Sequence, residues 1–61
     1  MQEVFVLTRK VGREATLIGV FRTKTKAKNW LVLNIDPKLE KKTEQALQLP
    51  IKWELTKELV N

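Results

Sequence analysis

Two apolar segments rich in β-branched residues, Val4-Phe5-Val6-Leu7-Thr8 and Ala15-Thr16-Leu17-Ile18-Gly19-Val20-Phe21, lie on either side of Val11-Gly12-Arg13-Glu14. Such residues fit the pleated surface of a strand, and a short glycine-led break joins antiparallel neighbours, so this part of the chain predicts a β-hairpin. A two-residue turn at Gly12-Arg13, with glycine supplying positive φ at its first position, fixes every cross-strand pair. One face carries Glu3 with Arg22, Phe5 with Val20, Leu7 with Ile18, and Arg9 with Thr16. The other carries Val4 with Phe21, Val6 with Gly19, Thr8 with Leu17, and Lys10 with Ala15. Both faces are apolar at their centre, whereas a ribbon with one side in water alternates. Each face therefore calls for a cover.

The first cover is a helix that starts after Phe21. Thr23 is its N-cap, and Ala27, Trp30 and Leu31 share one stripe that packs on Phe5, Leu7, Ile18 and Val20. Val32, Leu33 and Ile35 extend the buried surface before Asn34-Ile35-Asp36 breaks the pattern. Asp36-Pro37 restarts a helix, with Asp as cap and Pro at the first helical position. Leu39, Thr43, Ala46 and Leu47 give it a weak apolar stripe to about Leu49, before Pro50. From Ile51 the spacing fits two templates. Ile51, Trp53 and Leu55 alternate as in a strand, while Ile51, Leu55 and Leu59 recur every four residues as in a helix. A strand at about 51–56 is the reading taken, because a third strand relieves one hairpin edge and brings Trp53 into the core. The expectation is a single α+β domain over residues 1–61, in the order β-β-α-α-β.

At 61 residues the domain hides only about 60% of its unfolded surface, and its stability is correspondingly thin. Composition removes most chemistry. The chain has no cysteine, histidine, tyrosine or serine, which excludes disulfides, thiolate or imidazole metal sites, and the Ser-His and Cys-His nucleophile pairs. The carboxylate pairs Glu40/Glu44 and Glu54/Glu58 sit among lysines and read as salt-bridged surface. No enzyme, cofactor or metal is expected. Nor is a targeting or membrane segment, since the longest apolar runs, Val4–Leu7 and Trp30–Leu33, are far short of a span. A cytoplasmic location follows by default.

The net charge of +5 is unevenly placed: residues 1–35 hold seven cations against two acids, and residues 36–61 hold five against five. Such asymmetry points to an acidic partner, of which nucleic acid is the commonest. Lys24, Lys26 and Lys28 occupy the opening turns of the first helix, where the helix dipole favours acids. Arg9, Lys10 and Arg13 gather at the hairpin tip, and Arg22 ends the second strand. Trp30 and Trp53 fall among apolar neighbours and read as core residues ahead of stacking platforms.

Within residues 19–31, Phe21, Thr23, Lys24, Ala27, Trp30 and Leu31 resemble the hairpin-to-helix junction of the arm-binding domains of phage-type tyrosine integrases. They look equally like that of short uncharacterised phage and bacterial proteins. In the integrase family a sheet face reads DNA with polar and basic side chains. The matching faces here are mostly Val, Leu, Ile and Phe, so the resemblance implies backbone contact in place of base readout.

Two functions follow as expectations. The first is a phage or mobile-element regulatory protein that docks nucleic-acid phosphates, DNA ahead of RNA, through Arg9, Lys10, Arg13, Arg22, Lys24, Lys26 and Lys28. The second is a protein-interaction module, a regulator or inhibitor of an acidic host protein, that uses its second apolar hairpin face and can cover that face by forming a homodimer.

Overall fold

In the computed structural model, which describes residues 2–60, Gly12 adopts φ +61° and with Arg13 turns β1 (Gln2–Val11) back into β2 (Glu14–Phe21). The Gly12 N–H donates to the Pro50 carbonyl at 2.9 Å, tying the turn to the start of a third strand, β3 (Ile51–Val60). A Cβ at Gly12 would lie 3.2 Å from Leu49 Cδ2. Gly12→Ala is expected to cost about 1–2 kcal/mol in chemical denaturation, and Arg13→Ala less than about 0.5 kcal/mol, because only the first meets both a left-handed backbone and a crowded neighbour.

Pairing runs as the turn dictates from Val11↔Glu14 to Thr8↔Leu17 and then shifts by one residue, to Leu7↔Gly19, Val6↔Val20 and Phe5↔Phe21. Ile18 is the extra residue of a β-bulge, which exchanges the two faces of β2 beyond that point. The expected partners of Leu7, Val6 and Phe5 are thus corrected: Phe21 and Gly19 join Phe5 and Leu7 on one face, and Val20 moves to the other. Gly19 lets the Phe21 ring pack close to the strand, since a Cβ there would stand 3.3 Å from that ring.

Helix α1 (Lys24–Asn34) is capped as expected, the Thr23 hydroxyl accepting from the Lys26 N–H at 3.1 Å. At its end the Ile35 N–H closes on the Leu31 carbonyl. Ala27 is fully buried and Trp30 packs tilted against Phe21, ring centres 6.3 Å apart, so α1 lies over the face that carries Phe5, Leu7 and Phe21. Val20 is not beneath it. Val32 and Leu33 do not extend the buried surface either; they are 80% and 82% exposed.

Helix α2 (Pro37–Leu47) begins with the Asp36 carboxylate accepting from the Lys38 N–H, and stops short of Leu49 where Gln48 takes a left-handed conformation. Its half-buried residues are Glu40, Thr43 and Glu44, so the expected stripe of Leu39, Thr43, Ala46 and Leu47 is replaced by a mostly polar one. The cause is the sheet below, which presents an arginine to it.

β3 runs ten residues, past the expected end at 56, and pairs antiparallel with β1 from Val11↔Ile51 to Gln2↔Val60 without a shift. Lys57 sits on the helix side and bridges to Glu3 at 3.1 Å, which lets the strand continue through a charged position. The sheet order is β2-β1-β3. Helices on one side only give a thin slab, 42 × 24 × 10 Å. An eleven-residue helix is about 16 Å long and a ten-residue strand about 33 Å, so neither helix covers the sheet from end to end. Among the described residues only Leu7 and Ala27 are fully buried.

Candidate interaction surfaces

Arg9 stands on the helix side of the central strand, next to Leu7 and across from Trp53 on β3. Its Nη2 donates to Glu40 Oε2 of α2 at 3.2 Å, and its guanidinium lies 5.8 Å from the Trp53 ring centre. The pair is half-buried, with side chains 30% and 24% exposed. Glu44, one turn further along α2, accepts the Ile51 N–H at 2.8 Å. The two carboxylates therefore act as anchors that fasten α2 to β1 and β3. Arg9 is committed to this interior role and is not presented at the hairpin tip.

The other six cations fall into two groups. Lys10 and Arg13 lie near the Gly12 turn, and Lys10 is bound to Glu54 at 3.0 Å across the open sheet face. Arg22, Lys24, Lys26 and Lys28 lie at the opposite end of β2, roughly 23 Å away for a strand of that length. All four are exposed and none has an ion-pair partner among the described residues. With about 100° of turn per residue, Lys24 and Lys28 flank one side of the Ala27-Trp30-Leu31 stripe and Lys26 flanks the other. The fold does not gather the seven residues into one surface. It leaves Arg22, Lys24 and Lys28 as the nearest approach to a cationic cluster.

The sheet face away from the helices is the second surface. Val4, Val6, Thr8, Leu17 and Val20 meet there on adjacent strands, with Leu17 63% and Val20 56% exposed. The β3 side of the same face is polar, a row of Lys52, Glu54, Thr56 and Glu58. The bulge at Ile18 builds this apolar half by turning Val20 outward. Nothing in the pattern Leu17-Ile18-Gly19-Val20 marks the bulge except the glycine itself.

A third feature is a shallow groove of about 430 Å³ where α1 hands over to α2, lined by Leu31, Val32, Ile35, Pro37 and Trp53. It continues toward Ile51 and Glu44. Trp30 packs on Trp53 behind it, ring centres 6.2 Å apart. The Trp53 indole N–H and the Arg9 Nε–H are buried without a hydrogen-bond partner among the described residues. Among the described residues no helix is long and apolar enough to cross a membrane, and no group of three or more acidic, histidine or cysteine side chains is placed to hold a metal ion. Comparison with family models, curated proteins and solved structures finds no match to this chain.

Proposed function

We propose that this chain is a non-catalytic protein-interaction module whose working surface is the uncovered sheet face, with the net charge of +5 favouring an acidic partner. One observation carries the proposal: among the described residues only Leu7 and Ala27 are fully buried, while Leu17 and Val20 on the open sheet face are 63% and 56% exposed. On that face Leu17 and Val20 of β2 adjoin Val4 and Val6 of β1, and a chain of this size that leaves such a patch open is built to be covered by another molecule. Without serine, cysteine, histidine or tyrosine it would act by occupying a partner's surface, as a small regulator or inhibitor does. In affinity capture from a lysate treated with nuclease, the wild-type chain is expected to retain a protein that Leu17→Lys/Val20→Lys does not. Retention of nucleic acid alone, abolished by nuclease, would defeat the proposal.

Docking on nucleic-acid phosphates is the second reading, favoured by the unpaired cations at Arg22, Lys24 and Lys28. About three phosphates would be neutralised, so the log–log dependence of affinity on salt would have a slope of about −3 on duplex DNA. Filter binding over a salt series measures it, and an affinity indifferent to salt excludes this reading.

A further inference from the structure

The outer edge of β3 has the features of a self-recognising strand. It is ten residues long, contains no proline, bears no bulge against β1 and, among the described residues, has no neighbour on its other side. The opposite edge of the sheet, β2, is by contrast broken by the bulge at Ile18, a usual device for blunting an edge.

The hydrogen bonds define which groups face outward. The Gly12 N–H bonds to the Pro50 carbonyl, and alternation along an antiparallel ladder then gives the even-numbered residues of β3 to β1. Trp53, Leu55, Lys57 and Leu59 present N–H and C=O groups to the edge. Ile51 belongs to the same set, and its N–H is turned away from β1 onto Glu44.

From this edge the geometry points to a symmetric homodimer in which the β3 strands of two copies pair antiparallel about a two-fold axis at Leu55, giving one continuous six-stranded sheet. The charges select that register. With Leu55 opposite itself, Lys52 faces Glu58 at both ends, Glu54 faces Thr56, Trp53 faces Lys57, and Ile51 faces Leu59. Moving the axis to Glu54 sets that carboxylate against its own copy, moving it to Thr56 sets Glu54 against Glu58, and moving it to Lys57 sets two ammonium groups together. An axis at Trp53 keeps Lys52 opposite Glu54 but leaves only a short ladder. In the favoured register Leu59, exposed in the single chain, arrives beside the partner copy's Ile51 at the mouth of the apolar groove. The axis is perpendicular to the sheet, so all four helices lie on one side and the two open faces merge on the other.

The test is sedimentation equilibrium on the full chain, with Glu58→Lys, Lys52→Glu and the double exchange alongside the wild type. The wild type is expected at twice 7.1 kDa. Each single reversal should weaken the dimer tenfold or more, and the double exchange should restore it to within threefold of wild type. Both exchanged side chains are exposed, and far-ultraviolet circular dichroism confirms that each variant is folded. A monomer up to millimolar concentration overturns the proposal. So does a dimer that ignores both reversals, and one broken by Leu17→Lys but not by Glu58→Lys would place the contact on the open sheet face. The lysate capture above reads a different surface, so either result can fail without the other.

Discussion

Leu7→Ala is expected to lower stability by about 3 kcal/mol, the cost of removing a fully buried leucine that the surroundings cannot refill. Leu7 lies on the central strand with Gly19 on one side and Leu55 on the other, and it is the one large side chain with no exposure among the described residues. A domain of this size has roughly 3–9 kcal/mol to lose, so one truncation removes much or all of the margin. For so short a chain the unfolding midpoint should fall by about 15 °C. Thermal denaturation followed by circular dichroism reads the shift. Leu39→Ala, on the exposed side of α2, is the comparison and should change stability by less than about 0.5 kcal/mol. Equal effects at the two positions would mean that the sheet and α1 do not enclose Leu7 as described.

Trp30→Ala is the second large effect, at about 3 kcal/mol, and it has a spectroscopic signature of its own. The Trp30 ring spans the gap between two strands that do not touch, meeting Phe21 of β2 on one side and Trp53 of β3 on the other. Removing it takes away the main aromatic contact between α1 and the sheet. Trp53, now the sole indole, should shift its emission to the red as water reaches it. Trp30→Phe keeps an apolar ring in place and is expected to recover more than half of the lost stability. An unshifted Trp53 spectrum in Trp30→Ala would show that the two rings are not neighbours.

The element order was legible because each boundary carries a local chemical reason. Gly12 accepts positive φ, Thr23 and Asp36 offer side-chain oxygens to free N–H groups, and Pro37 suits the first helical position. Faces were less legible than elements. Val4 to Leu7 and Leu17 to Phe21 are apolar at nearly every position, so alternation could not show which side of β2 turns inward, and one extra residue at Ile18 reversed it. The stripe of α2 is hidden for a related reason. Leu39 and Leu47 look like core residues until Arg9 is placed on the helix side of β1, after which the helix must turn Glu40 toward it. Lys57 hid the second half of β3, since a charge inside an alternating run reads as an end unless its partner Glu3 is known to lie on the next strand. The cationic surface fared similarly: sequence proximity grouped Arg9 with Lys10 and Arg13, but adjacent strand residues face opposite ways. The apolar second face was anticipated, although the bulge changed its members by bringing Val20 into it.

The measurement closest to the central claim is methyl NMR of the isolated chain with a soluble nitroxide. The account predicts that Leu17 and Val20 methyl signals are strongly broadened while Leu7 is untouched, and that an added partner restores the first two. Val20 methyls as protected as those of Leu7, with Leu17 unchanged on addition of the partner, would contradict it.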